Sequence, residues 1–262
     1  MNSAARHLAQ MTWMEVRDLD KQLGAVVLPL GSLEQHGPHL AVDCDLYFSQ
    51  RFLDLAMDQL GPAIPLWSLP MLPITKSNEH AGFAGSFWLS ANTLLAVLHD
   101  IADGVLRSGF RRLVLWNCHG GNRALLDVAA RDIRQRTGLM VFTVFPPATV
   151  PDPLPVTEAE SLYGIHAGDW ETSVMLALSP ERVRPGRRDR AFPAFEGHTL
   201  NLEFTGANVA WLTADFMESG TWGDATVATA ERGRSRVSAV VPQLVRILTE
   251  ISSFEMQRDD SK

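Results

Sequence analysis

LGSLEQHGPHLAVDCD, residues 30–45, is the stretch on which the reading of this chain turns. Between Glu34 and Asp45 it carries Glu34, His36, His39, Asp43 and Asp45, and the apolar run AVVLPL, residues 25–30, leads into it. Gly31, Gly37 and Pro38 keep the segment out of a helix. The pattern is that of a buried strand that ends and releases a polar loop from its tip. Glu34 and His36 are two apart, and in extended backbone such residues point the same way, so carboxylate and imidazole converge. Imidazole suits zinc, iron and nickel, while carboxylate suits manganese and magnesium. A solvated loop with surface charges is the plainer reading. Ligand-type residues packed this densely behind an apolar strand weigh toward a divalent-metal site.

Outward from this stretch, strands and helices alternate. A helix over about 45–60 places Phe48, Phe52, Leu55 and Ala56 on one face, and Gly61-Pro62 stops it. A second strand follows at 63–69. A helix over 92–108 carries Leu94, Val97, Leu98, Ile101 and Val105 and closes at Gly109. RLVLWN, residues 112–117, is a buried strand, followed by a helix to about Arg136, Gly138, and an apolar strand over 139–145. A short helix falls within 11–23, another starts at Glu171 and runs to Leu178, and a long one covers 225–251. The proline-rich 146–155 is a loop, and 180–206 is irregular. No hairpin turn separates consecutive strands, which predicts an α/β fold with a mostly parallel sheet and helices on both faces. A chain of 262 residues fits one domain, 1–262.

Composition narrows the function classes. A hydrophobic fraction of 46% and a charged fraction of 20% describe an ordinary globular chain. No apolar run reaches the ~18 residues of a membrane helix, and the N-terminus has no secretory apolar core. Cys44 and Cys118 form no disulfide framework, so the expected setting is cytoplasmic. A net charge of −7 argues against a nucleic-acid partner.

Two further clusters carry chemistry. NCHGGN, residues 117–122, follows the third strand. Ligands in open α/β sheets bind at the carboxyl ends of strands, so His119 and the opening loop are expected to face one site. Gly120 and Gly121 let backbone approach a ligand. HAGDWETS, residues 166–173, precedes a helix. Glu171 and Asp169 are also what a helix N-terminus favours by itself.

These three segments resemble the motifs of the creatininase family of metal-dependent amidohydrolases: G-S-x-E-Q-H-G-x-H-L with a following Asp, N-G-H-G-G-N, and H-A-G-x-x-E-T-S. HAGFAGS, residues 80–86, and GTWGDAT, residues 220–226, resemble two weaker ones. The resemblance implies a three-layer α/β/α sandwich and a homohexamer. It implies a divalent metal, two ions per chain (Zn, Mn or Fe). Glu34, His36, Asp45 and His119 become metal ligands, with Asp45 bridging, and His166 the proton donor and acceptor. Ser77, Glu79 and His80 are candidates to line the pocket, with a structural turn the competing reading for them.

The departures matter as much. Creatinine-hydrolysing members carry Tyr and a metal-binding Glu where this chain has Gly120 and Gly121, which counts against creatinine and leaves one ion a ligand short. Glu171 is the candidate replacement, either as a direct ligand or as a hydrogen-bond partner of the site. A lid Trp is replaced by Leu162 and Tyr163, and Trp170 is the candidate to stand in for it. The expected activity is hydrolysis of a linear or cyclic amide C–N bond in a small molecule. Trimming of a short precursor peptide, as in the mycofactocin branch, formamide hydrolysis and a non-catalytic metal-binding scaffold are the alternatives.

Other features carry less. Cys118 and His119 are adjacent on extended backbone and point to opposite faces, so they do not pair as nucleophile and base. No G-x-S-x-G elbow, P-loop or dinucleotide fingerprint is present. Arg182, Arg184, Arg187, Arg188 and Arg190 read as a solvated loop or subunit contact.

Overall fold

The computed structural model describes residues 6–203 and 206–256, so both ends of the expected 1–262 domain lie outside the described residues. The main sheet is built from β1 (Ala25–Leu30), β2 (Leu66–Ser68), β3 (Arg112–Asn117) and β4 (Met140–Val144) in the order β2-β1-β3-β4. All three pairings are parallel, and β1 runs against β3 along its whole length, from Ala25 opposite Arg112 to Leu30 opposite Asn117. Pro29 lies in this central strand without breaking a ladder bond: β2 pairs only as far as Val27, so the missing N–H falls beyond its end.

The helices are α1 (Trp13–Asp18), α2 (Cys44–Gln59), α3 (Ala91–Arg107), α4 (Arg123–Thr137), α5 (Glu158–Tyr163), α6 (Asp169–Leu178), α7 (Thr213–Phe216) and α8 (Ala230–Ser253). The alternation of side chains along each strand sorts them into two cores. Ala25, Val27, Val114 and Trp116 face α2, α6 and α8, whereas Val26, Leu28, Leu113 and Leu115 face α3 and α4. This is the three-layer α/β/α sandwich with a parallel sheet. Phe48 and Phe52 of α2 are fully buried, each contributing roughly 1.5–3 kcal/mol. Trp116 satisfies its indole N–H on the Ser49 carbonyl at 3.0 Å.

Local signals fix the helix ends. Ser90 caps α3 by accepting from the Thr93 N–H, and Gly138 ends α4 in the left-handed region at φ 76°. The terminal helix starts later than the hydrophobic pattern suggests. A 3₁₀ turn covers Ala225–Val227, and Thr229 then caps α8 through the Arg232 N–H. The sequence also gave no sign of a short antiparallel pair, β5 (Arg190–Ala191) with β6 (Gly223–Asp224). It ties the arginine-rich segment to the edge of the site.

α6 is held unusually closely. A Cβ at Gly233 of α8 would lie 1.9 Å from the Ser173 carbonyl oxygen. Asp169, at the start of α6, is buried and receives Arg232 and Arg236 of α8 at 2.6 Å each. Glu160 of α5 accepts from the N–H groups of Asp169 (2.9 Å) and Asp224 (2.7 Å), capping a helix whose own N-cap is glycine.

Candidate metal centre

Because Leu30 and Asn117 are register partners, the loops that leave β1 and β3 emerge side by side. His119 and the 34–45 ligands meet there, and the N-terminus of α6 closes the third side. Three triads have ligand atoms all within 4.8 Å of one another: Glu34, Asp45 and His119; His36, Asp45 and Glu171; and Glu34, His36 and His166. Asp45 belongs to the first two, and its oxygens diverge. Oδ2 is 3.1 Å from His119 Nδ1, and Oδ1 is 3.4 Å from His36 Nε2.

The backbone has already chosen the imidazole tautomers. His36 Nδ1–H donates to the Glu34 carbonyl at 3.2 Å, and His119 Nε2–H donates to the Lys76 carbonyl at 2.8 Å. His36 Nε2 and His119 Nδ1 are thereby the nitrogens aimed at the carboxylates, the arrangement a metal-ligating histidine needs. Ser32 donates to Glu34 Oε2 at 2.7 Å, which turns Oε1 toward the centre. There Glu34 Oε1, His36 Nε2 and Asp45 Oδ2 are buried with no hydrogen-bond partner among the described residues. Buried polar atoms are rarely left so, and a divalent cation is the group this donor set fits.

The electrostatics agree. Burial pushes the Glu171 carboxyl up to about 7, and repulsion from Asp45 and Glu34 adds to it against the opposing pull of His36 and the Ala167 N–H. Three carboxylates that converge in this way fit a cation between them. Glu171 reaches the centre from the first turn of α6. Its Oε2 lies 4.0 Å from His36 Nε2 and accepts the Ala167 N–H at 2.5 Å. Ala167 is held at φ 54°, in the left-handed region that a residue with a Cβ rarely enters.

His166 is positioned by reciprocal backbone bonds with Trp222, at 3.2 and 2.8 Å. Its Nε2–H donates to the Gln35 carbonyl at 2.7 Å, and Nδ1 stands 3.7 Å from Glu34 Oε1. Burial, then the neighbouring His36 and His80, hold its pKa well below the usual imidazole value, so the ring is neutral with a bare Nδ1. His80 accepts from Gln35 Nε2 on its Nδ1 at 2.8 Å, and its Nε2 lies 3.2 Å from Glu34 Oε1.

A cavity of about 370 Å³ opens onto these groups. Of the expected pocket residues, His80, Gly120 and Glu79 line it. Ser77 is fully buried at the cap of a 3₁₀ turn and forms no part of the wall. Trp170 does not replace the lid ring. Next to Glu171 on α6 it is turned about 100° around the helix, and it packs edge-on against Phe48 at 5.9 Å and tilted against Phe52 at 6.2 Å. The aromatic wall is instead Trp211, packed at a 37° tilt against the buried Trp222 at 4.7 Å with its N–H on the Leu202 carbonyl. No motif marked Trp211 or Glu203; both come from irregular chain. Arg182–Arg190 contributes nothing to the cavity wall.

The profile of the creatininase family, described as creatinine amidohydrolase, matches residues 9–248. The mycofactocin precursor peptide peptidase of Mycobacterium tuberculosis (strain ATCC 25618 / H37Rv) is 33% identical over 85% of this chain and 83% of its own length. The creatinine amidohydrolase of Pseudomonas putida is 27% identical over 93% of this chain and 96% of its own. A solved creatininase, labelled Mn, superposes with a TM-score of 0.72 at 26% identity, covering 94% of this chain and 98% of that one. With paired carboxylate–histidine triads at the ends of β1 and β3 inside this sandwich, the chain belongs to the creatininase family of metal-dependent amidohydrolases.

Proposed function

We propose that the chain hydrolyses an amide C–N bond of a small molecule other than creatinine, with Glu34, Asp45 and His119 holding one divalent ion and His36, Asp45 and Glu171 the other. The observation that carries this is the divergence of the two Asp45 oxygens toward two separate histidines. Bound there, zinc, manganese or iron supplies carbonyl polarisation and a water acidic enough to attack at neutral pH. The chain's own groups do the rest. His166, with Nε2–H committed to the Gln35 carbonyl, has Nδ1 free to take a proton from the attacking water and return it to the leaving nitrogen. Such a relay typically contributes ~10²–10⁴ in rate. Gln35 fixes His166 through its carbonyl and His80 through its amide, and Trp211 supplies a flat apolar wall to the substrate. Gly120, with nothing within 4 Å of where its Cβ would stand, leaves open the room that Tyr takes in creatinine-hydrolysing relatives.

A second reading, trimming of a short peptide, has one observation in its favour: the 33% identity to the mycofactocin precursor peptide peptidase, against 27% to the creatinine amidohydrolase. We infer a cytoplasmic setting from the two unpaired cysteines, and a homohexamer from the family resemblance. No described helix is long and apolar enough to cross a membrane.

The test is release of amine or ammonia from a panel of amides, formamides and short peptides, with and without chelator. Chelator-sensitive turnover of a small amide supports the first reading, and turnover confined to peptides supports the second. His166→Ala is expected to keep its metal and lose ~10²–10⁴ in turnover. Loss of metal in that variant would make His166 a ligand of the third triad instead.

A further inference from the structure

We propose that Glu79 is the positioning residue for His119, and that residue 121 is glycine because the Glu79 carboxylate fills the volume a side chain there would take. This rests on His119 being a metal ligand. Glu79 sits in the 3₁₀ turn Asn78–His80, its side chain 13% exposed. Its Oε1 is 3.2 Å from His119 Nε2, on the side of the ring away from Glu34 and Asp45. A Cβ on Gly121 would lie 1.5 Å from that same oxygen and 2.6 Å from His119 Nε2. Any side chain at 121 therefore displaces the carboxylate.

The proton on His119 Nε2 faces two acceptors, the Lys76 carbonyl at 2.8 Å and Glu79 Oε1 at 3.2 Å. The carbonyl has the shorter contact and the better alignment, because Glu79 Oε1 otherwise lacks a hydrogen-bond partner. What the carboxylate adds is charge: an anion beside Nε2–H polarises the ring and makes Nδ1 a stronger donor to a cation. Lys76 organises both acceptors. Its carbonyl accepts the Nε2–H hydrogen bond, and its ammonium holds Glu79 Oε2 at 3.3 Å, leaving Oε1 toward the imidazole. The carboxylate behind the His119 ring thus comes from the 78–80 turn.

The consequence is confined to one ion. Glu79 touches His119 and no member of the His36, Asp45 and Glu171 triad, so it tunes the Glu34, Asp45 and His119 site alone. The test is a zinc titration of the metal-free protein against a competing fluorescent chelator, which needs no substrate. Glu79→Ala is expected to weaken one of the two zinc affinities by ~10–100-fold and to leave the other within about 3-fold. Glu79→Gln keeps the shape and an acceptor oxygen without the charge, and is expected to fall between wild type and Ala. Added to His119→Ala, the Glu79→Ala change should have almost no further effect, because the residue it positions is gone. Unchanged affinities in both Glu79 variants, equal weakening of both ions, or a full additional loss on top of His119→Ala would each overturn the proposal. If His119→Ala itself leaves zinc affinity intact, His119 is no ligand and the proposal falls with that assignment. Failure to hydrolyse any amide in the panel would leave the titration result standing.

Discussion

The two halves of the metal centre are built in opposite ways. In the strand-end half, Glu34 and His119 hang on the loops that leave the two central strands and Asp45 on the first turn of α2, and the three side chains are at most 4% exposed. The α6 half, Glu171 and His166, hangs on a helix N-terminus reached through a strained alanine, with Glu171 19% exposed. The first half borrows its precision from the β1–β3 ladder. The second must be held by added devices: the Glu160 cap, the Asp169–arginine cluster, and the close approach of α8 at Gly233. A site that straddles a rigid element and a docked one is expected to bind its two ions unequally, tightly at the strand ends and more exchangeably at α6.

That contrast breaks most completely at Asp45, which serves both halves. Asp45→Ala should lose both ions, whereas Glu34→Ala should lose one. Metal analysis of the purified variants checks this, and equal partial loss in the two would count against bridging. Next comes the docking of α6. Asp169→Asn removes the partner of the fully buried Arg236 and should cost about 3 kcal/mol by urea unfolding, the scale of breaking a buried ion pair. An unchanged midpoint would mean that Asp152, at 2.8 Å, suffices for Arg236. A smaller and more local effect is expected at Glu171. Glu171→Gln should reduce metal from about two ions to one per chain. Full metal with turnover reduced ~10–100-fold would make it an outer hydrogen-bond partner instead. The smallest effect concerns Ala167. Ala167→Gly relieves the left-handed backbone but removes a buried methyl, worth about 0.8 kcal/mol. The two nearly offset, and stability should change by no more than about 0.5 kcal/mol. A large loss there would show that the alanine methyl, not the backbone, is what the fold needs.

The same division explains what the sequence disclosed. Glu34, His36 and Asp45 were readable because their ligand chemistry is crowded into one short stretch behind an obvious strand. His119 followed because RLVLWN is an equally plain strand and both must end at the same edge of a parallel sheet. The placement of Glu171 stayed open, since a residue 50 positions beyond Gly121 reaches the centre only through tertiary docking that no local pattern encodes. Trp170 was misjudged for a geometric reason: a motif records adjacency, and adjacent residues on a helix diverge by about 100°. Trp211 had no signal, because its direction is set by packing against Trp222 from a different loop.

The pairing of Leu30 with Asn117 also has a kinetic consequence. The ligands of the strand-end half meet only after β1 and β3, far apart in sequence and parallel, have found each other. Parallel pairing between distant segments carries a large loop-closure cost and is slow. The unfolded chain therefore offers metal no preassembled pocket to nucleate on. Zinc added at the start of refolding should leave the rate of sheet formation unchanged and retard unfolding instead, acting as a latch closed after assembly.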